Sequence, residues 1–288
     1  MPLSPRVALA TCAEFPDLDA DDQLLVPALA ALGIEGVPMV WTEPFTDWSA
    51  FDLVVVRSTW DYPSRRDEFL TWAHAVPKLA NPAAALEWSS DKHYLAELQD
   101  ARLPTVPTMF LTPGAGFPEL EAEVVVKPAV GAGSIGARRF KLDERPQAAG
   151  HAATLHAQRH DVMVQPYLRG VEDGRGETAL VYLAGVFSHA IHKGPLLQPT
   201  GAQVTPGALF LEEAIETREP TEAELAVGAR VMSWLAERFG TLLYARIDLL
   251  PALGGHLVLE IELVEPSLFL ATSPGAPQRL AKAIAALL

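Results

Sequence analysis

The sequence predicts a mixed α/β (α+β) protein in which an open α/β domain precedes two units built from hairpins and helices. Strand and helix patterns alternate up to residue 85, which is typical of a parallel sheet with helical crossovers. The nearly apolar run 52–56 is typical of a strand buried on both faces. Farther along the chain, glycine-containing turns join neighbouring strands and indicate antiparallel hairpins. We therefore expect three domains, at residues 1–85, 86–164 and 165–288.

The elements predicted in the first domain are strands at 6–10, 37–41 and 52–56 and helices at 22–32 and 65–76. Gly33 is suited to end the first helix, because glycine readily adopts the left-handed conformation found at helix C-termini. Pro27 fits the same helix only in its first turn, where its missing N–H donor removes no hydrogen bond.

The other two domains are predicted to contain hairpins and further helices. Ser89 or Ser90 is suited to cap a helix over 91–100, and Thr221 and Glu224 have the spacing of a capping box. The remaining predicted elements are strands near 107–111, 123–128, 137–141 and 161–167, helices at 145–158 and 221–240, hairpins over 177–192 and 242–262, and a closing helix.

Composition and charge narrow the class of protein. The formal net charge of −14 makes a nucleic-acid partner unexpected, because such partners bind basic surfaces. The single cysteine, Cys12, excludes an internal disulfide and a cysteine-based zinc site, and it fits a cytoplasmic location. No apolar run reaches the roughly 18 residues of a membrane span, so we expect no membrane partner. The sequence leaves a homodimer open.

Residues 124–140, VVVKPAVGAGSIGARRF, contain the G-x-G-x-x-G pattern at Gly131, Gly133 and Gly136. A dinucleotide-binding turn requires a helix directly after the glycines, whereas residues 137–142 alternate between apolar and charged as a strand does. The pattern therefore predicts a glycine-rich hairpin whose backbone N–H groups could hold phosphates. A hairpin that contains glycine only for steric reasons is the alternative.

Two lysines near this hairpin are candidate phosphate ligands. Lys127 ends the apolar strand before the glycines, and a buried lysine requires an anionic partner, for which phosphate is the natural choice here. Lys92 is predicted in the first turn of the helix 91–100, where the helix dipole disfavours a cation. For both lysines, a solvated position at the surface is the alternative.

Three carboxylates late in the chain are predicted to share one sheet face. Glu260 and Glu262 are two residues apart on a strand and so point the same way, and a hairpin partner brings Asp248 beside them. Such a group requires a cation, and Mg²⁺ is the hard ion that carboxylate oxygens bind. A solvated sheet face is the alternative. The residues that mark the opposite, core-facing side are Ile247, Leu249, Ile261 and Leu263.

The order of these features along the chain resembles the ATP-grasp superfamily over about residues 86–288. The matching features are Lys92, Val126-Lys127-Pro128, the glycine hairpin, the segment 164–168, Asp248, Glu260-x-Glu262 and Pro266. Residues 57–62, RSTWDY, and 262–269, ELVEPSLF, further resemble its D-cycloserine synthetase and glutathione synthetase-like branch. The resemblance implies an ATP-grasp fold with an N-terminal pre-ATP-grasp domain, a small central lid subdomain and a C-terminal sheet-based subdomain.

The resemblance also implies ATP and two Mg²⁺ ions as cofactors, with Mn²⁺ as a substitute ion, and it implies roles for individual residues. The family usually has asparagine at the position of Glu262, which leaves the part of this glutamate in metal binding open. The implied ligands are Lys92, Lys127, Gly131, Gly133, Ser134 and Gly136 for phosphates, Gln165, Tyr167 and Leu168 for adenine, Glu172 for ribose, and Asp248, Glu260 and Glu262 for metal.

The implied activity is that of a ligase that joins a carboxylate and an amine of small, amino-acid-like substrates. The carboxylate would attack the γ-phosphate of ATP, and an amine of the same or a second molecule would displace phosphate from the acyl phosphate. Arg246 and Lys193 are candidates for binding the reacting oxygens, although Lys193 could equally be an exposed strand-end lysine. Arg57 ends a buried strand, where either a ligand contact or a structural ion pair is expected. The alternative functions are an ATP-grasp kinase and a nucleotide-binding sensor or scaffold.

Overall fold

The computed structural model describes residues 4–131, 133–168, 170, 176–194 and 215–288, and within these residues the chain forms three β-sheets. In chain order the sheets have three, four and five strands, and helices lie between them in the sequence. The predicted mixed α/β architecture is therefore confirmed.

The first sheet is parallel and has the strand order β2-β1-β3. Its elements are β1 (Arg6–Thr11), α1 (Leu25–Ala30), β2 (Glu35–Val40), β3 (Leu53–Val56) and α2 (Arg66–Ala75). Every residue of β3 is buried, as expected for an apolar strand covered on both faces. The predicted first helix is divided into a 3₁₀ turn at Asp22–Leu24 and α1, which places Pro27 in the first turn of α1. Gly33 has a φ of +74°, so it adopts the left-handed conformation expected of it.

Two short helices connect the first sheet to the rest of the chain, namely α3 (Ala83–Ser89) and α4 (Tyr94–Asp100). The prediction of one serine-capped helix over 91–100 is wrong in its start and in its cap. The Ser89 hydroxyl instead donates to the Ile261 carbonyl and accepts from the Leu263 N–H, both at 3.0 Å. Lys92 consequently lies in the loop before α4 rather than in a helical turn.

The second sheet is antiparallel and has the strand order β4-β7-β5-β6. Its elements are β4 (Met109–Leu111), β5 (Val124–Pro128), β6 (Arg138–Phe140), α5 (Arg145–Ala157) and β7 (Val162–Pro166). Val124 pairs with Phe140 and Val126 pairs with Arg138, so the glycine segment joins two paired strands. The hairpin prediction is confirmed, and a dinucleotide-binding turn is excluded because β6 takes the place of the required helix.

The third sheet has the strand order β10-β9-β8-β11-β12, and all its neighbours are antiparallel. The elements of this region are β8 (Glu177–Leu183), β9 (Val186–Lys193), β10 (Ile215–Thr217), α6 (Glu222–Phe239), β11 (Tyr244–Ala252), β12 (Gly255–Glu262) and α7 (Ala276–Ala285). The predicted capping box opens α6, since Thr221 accepts from the Glu224 N–H and Glu224 accepts from the Thr221 N–H. Asp248 lies opposite Glu260, and Arg246 lies opposite Glu262.

Buried polar contacts hold the first sheet against the third. The Asn81 side chain donates to the carbonyls of Tyr244 and Leu263 and accepts from the Leu243 N–H. The Tyr244 hydroxyl lies 2.8 Å from the Val56 carbonyl. The domain boundaries expected after residues 85 and 164 fall inside α3 and β7, and they stay predictions.

The outer edge of β12 is covered by the chain that leads into β4. The Val106 N–H donates to the Val258 carbonyl at 3.0 Å, and the Val258 N–H donates to the Pro104 carbonyl at 2.7 Å. β12 is therefore hydrogen-bonded on both sides around Val258. Among the described helices, none combines the length and the apolar character needed to cross a membrane.

Candidate active site

A cavity of about 820 Å³ lies where the three sheets meet. This volume falls within the roughly 300–1,000 Å³ of typical ligand sites. Residues from all three sheets and their loops contribute to its wall. The first sheet contributes Phe15, Asp19, Trp60 and Tyr62, the second contributes Lys127, Gln165 and Tyr167, and the third contributes Glu177, Lys193, Arg246, Glu260 and Glu262.

Lys92 and Lys127 enter this cavity from two different elements. The Lys92 ammonium donates to the Gly131 carbonyl at 2.9 Å and lies 3.6 Å from the Glu260 carboxylate. Lys127 is the penultimate residue of β5 and lines the same cavity. Burial lowers the pKa of the Lys127 ammonium, although the Glu260 charge acts in the opposite direction. Both lysines therefore lie at the cavity. An anionic ligand there would favour the charged form of Lys127, which burial disfavours.

The hairpin register brings the three predicted metal ligands together. Asp248, Glu260 and Glu262 each offer an oxygen, and these oxygens lie within 4.8 Å of one another. Asp248 is fully buried, whereas the side chains of Glu260 and Glu262 are 20% and 30% exposed. The predicted opposite face is confirmed as core, because Ile247 and Ile261 are almost completely buried.

Two cations separate these carboxylates. Arg246 binds Asp248 in a bidentate manner, with N–O distances of 2.8 and 2.9 Å, and it also donates to Glu262. Its third nitrogen donates to the Ser267 carbonyl at 3.1 Å. The Lys193 ammonium lies 2.8 Å from both Asp248 and Glu177. Sequence reasoning missed Glu177, although its position opposite Lys193 in the β8–β9 hairpin is a signal for a cross-strand ion pair.

The three carboxyl groups differ in proton affinity. Burial raises the pKa of Asp248, but Arg246 and Lys193 outweigh this effect and hold it well below its usual range. Burial acts in the same direction on Glu260, where Lys92 and Lys127 also prevail and lower the pKa. At Glu262 burial prevails, so its pKa rises to about 7 despite the charge of Arg246.

This donor set fits a hard divalent cation. Three carboxylate oxygens within 4.8 Å match the all-oxygen coordination that Mg²⁺ requires, and no softer ligand belongs to the group. Burial raises the pKa of Glu262 despite the charge of Arg246, so the protein alone does not fully stabilise its ionised form. A metal ion would supply the missing positive charge.

The residues expected around the nucleotide line the same cavity, except Gly136 and Glu172. Gly131, Gly133 and Ser134 line it from the hairpin loop, and Gln165, Tyr167 and Leu168 line it from the end of β7. Gly136 lies at the base of the loop, where its carbonyl accepts from His151 Nε2 at 2.8 Å. Gly136 has a φ of +77°, and an added Cβ would lie 3.2 Å from Pro128, so glycine is required for the turn. Glu172 lies outside the described residues.

Arg57 is placed differently from the other candidate residues. Its guanidinium is 1% exposed, pairs with Asp22 at 2.8 Å and donates to the Pro266 carbonyl at 2.7 Å. It lies over the Tyr244 ring, and it is not among the residues that line the cavity. These contacts are those of the structural ion pair that the sequence left as the alternative to a ligand contact.

Comparisons with known proteins agree with this arrangement. A family model described as "D-cycloserine synthetase DcsG, N-terminal domain" matches residues 7–82. The cycloserine biosynthesis protein DcsG of Streptomyces lavendulae is 36% identical over 297 aligned positions, which cover 97% of each chain. The crystal structure of D-cycloserine synthetase DcsG has a TM-score of 0.88 at 35% identity, over 98% of this chain and all of that chain. A D-alanine–D-alanine ligase from Bacillus anthracis shares the fold, with a TM-score of 0.67 at 16% identity and with 98% and 97% of the two chains covered.

Similarity at this level over the whole length establishes the family. The predicted ATP-grasp superfamily and its D-cycloserine synthetase-like branch are thereby confirmed. The family is one of ligases, so the alternatives that the sequence had left, a kinase and a nucleotide-binding sensor or scaffold, do not apply to this chain. The chain belongs to the D-cycloserine synthetase family of ATP-grasp proteins and is an ATP-dependent ligase.

Proposed function

We propose that this ligase activates a substrate carboxylate with ATP and closes it with an amine, through an acyl phosphate. The observation that carries the proposal is the meeting of Lys92, Lys127, Glu260 and Glu262 in one cavity, with an oxygen of the buried Asp248 within 4.8 Å of oxygens of both glutamates. A cavity that only bound a nucleotide would not need so many charged groups beside the phosphate-binding loop. A phosphoryl-transfer site needs them, because charge develops on the transferred group and on its leaving oxygen.

The nucleotide would lie between the second and third sheets. Lys92 and Lys127 would contact its phosphates, with backbone N–H groups of Gly131, Gly133 and Ser134 above them. The backbone after β7, at residues 165–168, would contact the adenine. Lys92 now donates to the Gly131 carbonyl, so phosphate binding would replace an internal hydrogen bond of the loop with a charge-assisted one.

Asp248, Glu260 and Glu262 would hold Mg²⁺, which supplies positive charge at the phosphate oxygens when it is bound. Arg246 and Lys193 would orient these carboxylates, since each nitrogen of Arg246 already has an acceptor within the protein. We therefore assign Arg246 a positioning role in addition to any contact with substrate. The contacts of Arg57 support a structural role.

The similarity to D-cycloserine synthetase makes ring closure within one molecule the favoured reaction. The substrate would be an O-ureidoserine-like amino acid, the type of compound that the family resemblance implies. Its carboxylate would take the γ-phosphoryl group, and the nitrogen on the side-chain oxygen would then displace phosphate and form the ring.

Product analysis tests the proposal directly. The protein is incubated with ATP, Mg²⁺ and O-ureido-D-serine, and then with other amino acids in the presence of hydroxylamine. ADP, free phosphate and a cyclic product are expected from the first reaction, and a hydroxamate is expected when hydroxylamine intercepts the acyl phosphate. A stable phosphorylated product would contradict the ligase mechanism, and ADP formation that does not depend on any carboxylate would contradict it as well.

A further inference from the structure

Glu265 is a buried carboxyl group on the cavity wall that the proposed nucleotide and metal sites do not use. The residue is 6% exposed and lies three positions beyond the last metal-ligand candidate, Glu262. It lines the same cavity. Within the described part of the chain, no other side chain forms a hydrogen bond or an ion pair with its carboxyl group. A buried carboxyl group without such a partner is unfavourable unless a ligand provides one.

The other carboxylates on this wall all have partners. Asp19 accepts from the Asp22 N–H, and Asp21 accepts from the N–H groups of Leu270 and Ala271. The cationic partners of the other three are Lys193 for Glu177, Lys92 for Glu260 and Arg246 for Glu262. Glu265 differs from Glu177, Glu260 and Glu262 because no cation of the described residues pairs with it, and its carboxyl group accepts only from its own backbone N–H.

The charged cluster beside Glu265 is balanced without it. Four cations, Lys92, Lys127, Lys193 and Arg246, face four carboxylates, Glu177, Asp248, Glu260 and Glu262. Burial raises the pKa of Glu265 well above its usual value, and the charge of Glu262 adds to this effect. The charges of Lys92 and Arg246 act in the opposite direction but do not outweigh burial, so an incoming cation would stabilise the ionised carboxyl group of Glu265.

The surroundings of Glu265 suit an organic cation. Its backbone carbonyl accepts from the Trp60 indole N–H at 3.3 Å, which fixes the indole next to this segment. Trp60 lines the cavity and contacts Phe15 edge-to-face, with ring centroids 5.1 Å apart. Aromatic faces beside a carboxylate are a common environment for ammonium groups, because the rings attract cations and exclude water.

We propose that Glu265 binds the cationic amino group of the amino-acid substrate. The inference rests on the proposed ligase function, and it names the group by which the substrate is selected. In the complex, the ionised carboxyl group of Glu265 accepts hydrogen bonds from the substrate ammonium. An amino group held in this charged form has no lone pair, so it cannot attack the acyl phosphate in place of the ring-closing nitrogen.

The test compares two substrates that differ only in the amino group, and each is assayed with the wild type and with the variant. O-ureido-D-serine and its desamino analogue, 3-(ureidooxy)propanoate, are assayed by ADP release with the wild type and with Glu265→Gln. For the amino acid, kcat/KM should fall about 10- to 100-fold in Glu265→Gln, the value of one charge-assisted hydrogen bond. For the desamino compound, kcat/KM of Glu265→Gln should stay within about threefold of the wild-type value, and the KM for ATP should not change. Glu265→Asp keeps the charge, so it should retain part of the preference for the amino acid over the desamino compound.

Asp19→Asn provides the matched control, because it neutralises another carboxylate of the same wall that already has a hydrogen-bond partner. The assignment would be overturned if kcat/KM for the amino-acid substrate fell selectively in Asp19→Asn but not in Glu265→Gln. An equal loss of both substrates in Glu265→Gln would also overturn it, because that result indicates a structural role. Thermal unfolding of each variant shows whether it is folded. If Glu265→Gln is not folded, Glu265→Asp takes its place in the test.

A binding measurement separates this inference from the ligase proposal. If the wild type forms no ADP with either compound, the proposed reaction is wrong, and calorimetry with serine and 3-hydroxypropanoate still tests Glu265. Both enantiomers of serine are titrated. The wild type should bind one of them at least about tenfold more tightly than 3-hydroxypropanoate, and Glu265→Gln should bind both compounds alike. Equal affinity of the wild type for the two compounds would overturn the inference.

Discussion

Two buried arginine–aspartate pairs, Arg57–Asp22 and Arg246–Asp248, share an N–O distance of 2.8 Å but differ in what surrounds them. Around the first pair, Ser58 donates to Asp22 and the Pro266 carbonyl accepts from Arg57. No residue of that pair lines the cavity. The first pair is therefore closed off within the protein and joins the N-terminal sheet to the segment after β12.

The second pair is open to the cavity through its neighbours. Arg246 also binds Glu262, and Lys193 binds both Asp248 and Glu177. Burial raises the pKa of Glu262 to about 7 despite the charge of Arg246, so a further cation at the cavity would stabilise its ionised form. The comparison teaches that a buried ion pair is not by itself a sign of function. The informative feature is a group of charged side chains with shifted pKa values that lines a cavity.

The largest effect is expected from Glu260→Gln, which removes one charge from the open cluster. Turnover should fall about 10³-fold or more, because a metal ion at this position would contribute several kcal/mol to the transition state. Initial rates of ADP release with saturating Mg²⁺ measure the loss. A variant that keeps more than a tenth of the wild-type rate would contradict a metal-binding role for Glu260.

The stability of the same variant separates a Glu260 that is paired with lysines from one on a solvated surface. Lys92 and Lys127 lower the pKa of Glu260 despite its burial, so the ionised group stabilises the folded protein above its unfolded pKa. Glu260→Gln should therefore be less stable than the wild type at pH 7 without metal, by on the order of 1 kcal/mol. Urea denaturation in the presence of a chelator provides the measurement.

Arg57→Met is expected to act on stability rather than on chemistry. It leaves the buried Asp22 carboxylate without its cation, which costs about 3–5 kcal/mol. Urea denaturation measures this loss, and the turnover of the folded fraction should stay within a few-fold of wild type. Arg246→Met is the matched change in the open pair, and it should abolish turnover. Equal effects of the two substitutions on turnover would remove the distinction between the pairs.

Lys127→Ala should weaken ATP binding while leaving the fold intact. The loss of one charge-assisted contact corresponds to about 1.5–3 kcal/mol, or roughly 10- to 100-fold in affinity. Since burial already lowers the pKa of this lysine, its removal should not destabilise the nucleotide-free protein. Calorimetric titration with a non-hydrolysable ATP analogue gives the affinity. Unchanged affinity together with a lower melting temperature would make Lys127 a structural residue.

The smallest effect concerns Asp19, a wall carboxylate outside both ion pairs. Burial and the nearby Asp22 raise its pKa from 3.8 to about 6, so the folded state binds a proton that the unfolded state releases. The free energy of unfolding should therefore fall between about pH 4 and pH 6 as the pH rises. Asp19→Asn should flatten the stability profile in this window. Parallel profiles for variant and wild type would show that Asp19 does not contribute.

The elements that sequence alone predicted correctly are those with short-range signals. The hairpin around Gly131 and Gly133 follows from alternation on both sides of the glycines, and it is confirmed by the pairing of β5 with β6. The carboxylates of β11 and β12 follow from the period of a strand and one hairpin register, which place Glu260 opposite Asp248. In both cases the relevant contacts lie within about twenty residues.

The elements that could not be predicted depend on long-range contacts. Ser89 looks like a helix cap, but its hydroxyl is used by the backbone of β12, more than 170 residues away. The pairing of β8 with β11 brings Lys193 to Asp248, and hairpin patterns alone do not reveal it. Sequence reasoning accordingly expected repulsion among the carboxylates and missed the cations that separate them.

The backbone of residues 104–106 covers the outer edge of β12, next to the carboxylates of the candidate active site. Glu260 and Glu262 lie on the last strand of the five-stranded sheet, and an uncovered edge strand can recruit strands of other molecules and begin aggregation. The hydrogen bonds of Pro104 and Val106 to Val258 occupy that edge two residues from Glu260. Substitutions that loosen this short connection would open a template for intermolecular strand addition and disturb the carboxylate cluster together. The same few backbone contacts therefore protect the sheet edge and support the carboxylate cluster.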